Sequence, residues 1–391
     1  MRSTGLSASP VPSGSSHLLR ALNERAALYH LMEHETLTRV ELCRLTGLTK
    51  PTASQVMSRL LESGRAVTVG RTTARQAGPK AEVYTVNAEH AFAAAATLHE
   101  PDGITVAITD LKHRERSSST TRIDFTAVPP DRAVVNLLTA TAEAAATDLD
   151  KIAVLHIAVP GAYDTDTDTI DHADIPGLTG LRMRASLEAE LGVAVEIHND
   201  VNAATMAERR NPEATEGLVV LWLGREGIGV GIDLRRELLI GRHGAAGELG
   251  YVPAFPDRAG PDDPTFQDWL GAPAALELGR EHGLAGKDAP AVVTAAIERG
   301  ASAFLDAYAA RVGAAVRLLR CLLDPPRIVL AGEIARAGGE TLLAHVRQRS
   351  GDFGGRVIPS AVYGDAAAIG ALDAAHADLK GRVLDEAIEK R

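Results

Sequence analysis

Residues 37–64 read LTRVELCRLTGLTKPTASQVMSRLLESG. Thr38, with Glu41 three positions on, has the form of a capping box opening a short helix. Val40, Leu42 and Leu45 give that helix an apolar side; Gly47 breaks it and Leu48 anchors the turn. Thr49 caps the next helix, and Pro51 falls in its first turn, where a missing N–H costs little. Val56, Leu60 and Leu61 point inward and Gly64 stops the helix. Two helices joined by a short glycine-containing turn make a helix-turn-helix. Toward the N-terminus, His17 to Glu33 shows near-helical apolar spacing, and residues 1–16, rich in Ser, Gly and Pro, are expected to be a disordered tail. Toward the C-terminus, Ala66–Val69 and Val83–Val86 read as a hairpin whose loop carries Arg71, Arg75 and Lys80. The expectation is a winged helix-turn-helix domain over residues 17–88.

Charge supports that division. Of 391 residues, 41 are Lys or Arg and 51 Asp or Glu, a net charge of −10. Residues 1–90 hold 11 basic and 7 acidic side chains, so the excess of acid belongs to the remainder. A basic module on an acidic body is expected to meet a polyanion through the module only. The two cysteines exclude a disulfide framework and a cysteine-rich zinc site. No run approaches the ~18 apolar residues of a membrane span, and the N-terminus lacks a secretory core. A cytoplasmic protein, nucleoid-associated when on DNA, is expected.

From about Ala91 strands alternate with helices. Residues 104–111, 152–161, 217–234 (a strand pair) and 327–338 carry strands, and 134–149, 182–191, 272–282, 288–297, 300–323 and 366–379 carry helices. This is an α/β body with parallel-strand character, over residues 89–391.

Five segments in order carry a family resemblance: GPKAEVYTVNAE (78–89), IAVPGAYDTDTDTIDHADIPGL (157–178), HNDVNAATMAER (198–209), GIGVGIDLRRELLIGRHGAAGELGYV (227–252) and IVLAGEIARAGG (328–339). The chain resembles the ROK family of repressors, open reading frames and sugar kinases, and within it the winged-helix transcription regulators. The resemblance implies a sugar-kinase-like body with two ribonuclease-H-like lobes and a sugar-binding cleft between them. It implies effector contacts from Asn199, Asp200 and Glu248, with Tyr251 replacing a family histidine. Gly161 and Gly247 would let the backbone approach the ligand. The alternatives are helix capping for Asn199 and Asp200, turn geometry for the glycines, and core filling for Tyr251.

Departures from the family pattern argue against catalysis. The kinase phosphate loop is replaced by LHEPDGITVAITD (98–110), where Glu100 and Asp102 would repel phosphate and Gly103 is the one glycine. Glu333 adds charge at the second glycine turn. The family zinc ligands are missing, so no metal and no ATP are expected, and Phe255, Phe266 and Trp269 are expected to hold the vacated loop. The reading is a non-enzymatic, DNA-binding regulator of carbohydrate metabolism controlled by a sugar or sugar phosphate. Its partners are double-stranded operator DNA, through Arg39, Thr49, Lys50, Thr52, Ser54, Gln55, Arg59, Arg71, Arg75 and Lys80, and a second copy in a homodimer or dimer of dimers. The alternatives are an ATP-dependent sugar kinase with an appended DNA-binding domain, and a ligand-independent DNA-binding scaffold controlled by a protein partner.

Overall fold

The computed structural model describes residues 14–71, 81–255, 260 and 262–389. The chain opens with α1 (Gly14–Glu33), β1 (Leu37–Thr38), α2 (Arg39–Thr46), α3 (Lys50–Glu62), β2 (Ala66–Arg71) and β3 (Glu82–Val86). Helix α1 thus begins inside the stretch expected to lack structure, while residues 1–13 lie outside the described residues. The caps form as the sequence dictates. The Glu41 carboxylate accepts the Thr38 N–H at 2.8 Å, Gly47 ends α2 with φ 73°, and Thr49 caps α3. Leu42, Val56, Met57, Leu60 and Tyr84 are buried together with Leu28 and Leu31 of α1. Val40 departs from expectation and is 64% exposed. Residues two apart do not share a helix face, so Leu42 takes the core and Val40 turns outward. Strand β3 pairs with both β2 and β1, so the hairpin gains a third, two-residue strand.

The next unit comprises β4 (Phe92–His99), β5 (Gly103–Asp110), β6 (Glu115–Arg122), α4 (Pro130–Ala144), β7 (Ile152–Val159), β8 (Ala162–Asp164), β9 (Thr169–Asp171), α5 (Met183–Leu191), β10 (Ala194–Asn199) and α6 (Asp200–Ala207). Its sheet runs β10-β7-β4-β5-β6, parallel over the first three strands and antiparallel over the last three. The last unit comprises β11 (Gly217–Leu223), β12 (Ile228–Leu234), β13 (Glu237–Leu238), α7 (Phe266–Leu270), α8 (Ala272–Glu281), α9 (Ala289–Glu298), α10 (Ser302–Leu323), β14 (Ile328–Ala331), α11 (Glu333–Arg349), β15 (Val357–Pro359) and α12 (Ala366–Glu389). Its sheet runs β13-β12-β11-β14-β15. Numbered along the chain within each lobe, both sheets have the order 3-2-1-4-5. The lobes are therefore two copies of one topology.

Strands β4 and β6 escaped the pattern reading. FAAAATLH is poor in β-formers, and ERSSSTTR is a polar edge strand exposed along most of its length. Helix α12 runs ten residues beyond its expected end at 379. It packs on α6, β4 and β7 and then reaches α1, where Ala375, Leu379, Val383 and Leu384 are buried in the core of the N-terminal module.

Candidate functional site

A cleft of about 680 Å³ opens between the lobes, lined by residues from both sheets and by the starts of α6, α11 and α12. Its floor is the strand-to-helix junction at β10. Ligands of open α/β sheets sit beyond the carboxyl ends of strands, and β10 delivers Asn199 and Asp200 there. Asn199 caps α6, accepting the Asn202 N–H at 2.9 Å, and its side-chain amide donates to the Gly161 carbonyl at 3.0 Å. The capping role is real, and Asn199 also ties α6 to the loop after β7. Gly161 has φ 89°, and a Cβ there would lie 2.3 Å from the Asp171 carbonyl oxygen. Gly247 has φ 95°, and a Cβ would meet the Val230 oxygen at 1.9 Å. Both glycines are demanded by close backbone packing, and both line the cleft.

Asp200 accepts the Val201 N–H at 2.7 Å. Burial pushes its carboxyl up to about 7 against that hydrogen bond, and the charges of Glu100 and Glu248 add to the rise. Burial also raises Glu248, which His172 partly offsets. Glu100 is raised by burial, although it accepts the Asp174 N–H at 2.8 Å. His99 lies 3.0 Å from Asp365 at the start of α12. Burial opposes its charged form, but the Asp365 carboxylate outweighs this and raises the imidazole. The two arginines lining the cleft are engaged: Arg225 pairs with Asp288, and Arg336 donates to the Gly364 carbonyl at 3.3 Å. The site can accept hydrogen bonds from hydroxyls and is poorly suited to anions.

The acidic residues expected to repel phosphate divide. Glu100 and Glu333 line the cleft. Asp102 does not, because it turns to Arg122 at 3.1 Å. Tyr251 is 58% exposed on the cleft wall, with its ring 4.7 Å from that of His172, so it does not fill the core. Of the residues expected to hold the loop that follows, the Trp269 ring meets Phe255 at 5.5 Å and Phe266 at 5.8 Å in edge-on contacts. The loop offers no sulfur ligand, since the two cysteines lie on α2 and α10. A zinc of the family type does not fit these residues. His172, His99 and Asp365 were missed in the sequence, where no spacing places them beside Asp200.

On the N-terminal module, Lys50 and Gln55 are exposed along α3. The Thr49 and Thr52 hydroxyls bond each other at 2.9 Å, and Ser54 donates to the Lys50 carbonyl at 2.9 Å. Arg39 donates to the Tyr84 hydroxyl at 2.7 Å and lies 3.6 Å from Glu82. Arg71 is exposed at the end of β2, while Arg75 and Lys80 lie outside the described residues. Arg59 is also engaged within the module. Its guanidinium is paired with Glu24 of α1, and both side chains are mostly buried. The ion pair engages the Nε donor of Arg59 inside the module, and it is the one hydrogen bond described for that guanidinium.

Two lobes of one topology around an acidic, hydroxyl-accepting cleft define a sugar-kinase-like fold. The chain belongs to the ROK family, whose model matches residues 101–377. It is 26% identical over 215 residues to a glucokinase of Halalkalibacterium halodurans, spanning 49% of this chain and 64% of that protein. It is 35% identical over 98 residues to an N-acetyl-D-glucosamine kinase of Vibrio vulnificus, spanning 25% of this chain and 32% of that protein. The chain thus matches less than two thirds of the length of either. Among solved structures, a ROK hexokinase from Thermus thermophilus superposes with a TM-score of 0.62 at 21% identity, over 74% of this chain and 99% of that one. A ROK family transcriptional regulator, a homologue of the E. coli MLC protein, superposes with a TM-score of 0.70 at 18% identity, over 95% of this chain and 100% of that one. Among the described residues, no helix is long and apolar enough to cross a membrane.

Proposed function

We propose that the protein is a sequence-specific DNA-binding transcription regulator whose cleft binds a sugar without phosphorylating it. The N-terminal module is read as a winged helix-turn-helix over residues 17–88, with the ROK body over 89–391. Helix α3 enters the major groove, Lys50 and Gln55 offer base and phosphate contacts, and Arg71, Arg75 and Lys80 neutralise backbone phosphates. Arg39, Thr49, Thr52 and Ser54 position the backbone. Arg59 braces the module against α1.

The observation that carries this reading is α12. One end lines the cleft through Ala366 and Ala367, and the other is buried in the N-terminal module through Leu379 and Val383. A ligand that changes the cleft therefore acts on a rigid element that also seats α1. The structural likeness to a ROK regulator spans the module as well as the body, which supports the same reading. Against phosphoryl transfer stand Glu100 and Glu333 in the cleft and the engagement of both lining arginines. No metal or nucleotide is required. The acidic body assembles a homodimer or dimer of dimers that fixes the spacing of two modules. The effector must bind one arrangement better than the other, since equal affinity shifts nothing.

One observation favours a second reading, a sugar kinase. Asp200, raised to about 7, is tuned as a general base should be. Two measurements separate the readings. DNA selection with the full-length protein should return a two-fold symmetric site bound with steep salt dependence, and a coupled ATPase assay over a hexose panel should stay at background. Turnover abolished in Asp200→Ala would establish the kinase, and failure to enrich any DNA site would overturn the regulator.

A further inference from the structure

Seven described non-glycine residues have a left-handed backbone, and among them His172, at φ 62°, alone lines the cleft. A left-handed non-glycine residue is uncommon, histidine and asparagine adopting it more readily than most, and it persists where the surroundings over-determine the backbone. Here they do. Gly161 packs so tightly under this segment that a Cβ on it would lie 3.1 Å from the His172 carbonyl carbon. Strands β8 and β9, which lead into His172, are fixed to the opposite lobe as well. Asp164 lies 3.0 Å from His243, Asp166 lies 2.7 Å from Arg242, and Gly244 sits directly against the Tyr163 backbone. The imidazole is thereby held at the cleft mouth. It lies 4.7 Å from the Tyr251 ring of the other lobe at a 46° tilt, and its charge bears on Glu248.

The geometry points to His172 as a ligand-contacting, specificity-determining residue. With Tyr251 it forms a two-ring wall for an unphosphorylated pyranose whose hydroxyl edge faces Asp200 and Glu248. This rests on the reading of the cleft as a sugar site. Two rings from opposite lobes, half-open to solvent, offer apolar faces to sugar C–H groups and polar tips to its hydroxyls. Glu100, Asp174 and Glu248 surround Tyr251 closely enough to raise its phenol in addition to the effect of burial. A phosphate ester at this mouth would meet three carboxylates. The backbone at His172 is packed on Gly161 while its imidazole is exposed, so the ring itself is free of the core.

The test uses the full-length protein, calorimetry and thermal shift with D-glucose, N-acetyl-D-glucosamine and D-glucose 6-phosphate. His172→Gly deletes the ring and relieves the left-handed backbone. It should weaken binding of the unphosphorylated sugar by about three- to tenfold, the worth of one aromatic contact, while the ligand-free melting temperature stays level or rises. A purely structural histidine would give the opposite pair of results. His172→Asn, which tolerates the same backbone, decides the matter should the glycine variant melt early: it too should bind weakly, at wild-type stability. Unchanged affinity in the folded variant overturns the role of His172. Preference for the 6-phosphate overturns the ligand class and leaves the cleft a sugar site. A wild-type protein that binds none of the three overturns the sugar-site reading and this inference together.

Discussion

Replacing Asp200 by Asn should make the protein more stable at pH 8 and leave it unchanged near pH 4. The carboxyl titrates at about 7 in the folded protein and at 3.8 ordinarily. Between those values the folded state binds more protons than the unfolded chain, so stability falls as pH rises through the window. Below about pH 4 the penalty is absent, and above about pH 7 it is complete. A rise of that size corresponds to roughly 4 kcal/mol at 1.36 kcal/mol per pH unit. Asp200 keeps some solvent contact at the cleft, so the recoverable part is nearer about 1–2 kcal/mol. Asparagine retains an oxygen for the Val201 N–H, which spares the one hydrogen bond described for this carboxylate. Urea unfolding of both proteins at pH 4, 6 and 8 measures the difference. Group removal at a ligand site commonly trades function for stability, and the variant should lose sugar binding as it gains stability. A gain that is the same at all three pH values, or a loss at pH 8, would refute the idea that buried like charge is stored at this position.

Arg59→Ala should destabilise the N-terminal module by about 1–3 kcal/mol, less than a fully buried pair because both partners retain some exposure; a double-mutant cycle with Glu24→Gln, read by thermal unfolding, checks that the loss is shared. Gly247→Ala should cost more than about 3 kcal/mol, since it combines a φ of 95° with a Cβ 1.9 Å from a carbonyl oxygen, and soluble yield with melting temperature will report it. Gln55→Ala should relax sequence preference at one operator position with ~1–3 kcal/mol lost, whereas Arg71→Ala should weaken all DNA alike and flatten the salt dependence; binding titrations at several salt concentrations distinguish them.

The sequence by itself determined the local structure of the N-terminal module. Thr38, Glu41, Gly47 and Thr49 each act on atoms within four residues, so their effects are readable without a fold. It also located the strand-to-helix junction at Asn199 and Asp200, where a cap and a strand end coincide. It did not reveal β6, a polar edge that forms a strand by pairing with β5, nor the fate of Arg59, decided by a glutamate 35 residues away. His99 and Asp365, at opposite ends of the body sequence, face each other because β4 lies in the sheet on which α12 packs. The role open to Tyr251 turned on the same kind of fact. Nothing in its neighbours along the chain says whether a phenol is buried or exposed, and the approach of His172 from the other lobe does. Charges and rings act through space over a few ångströms, and only the packing of two lobes and one long helix decides which of them meet.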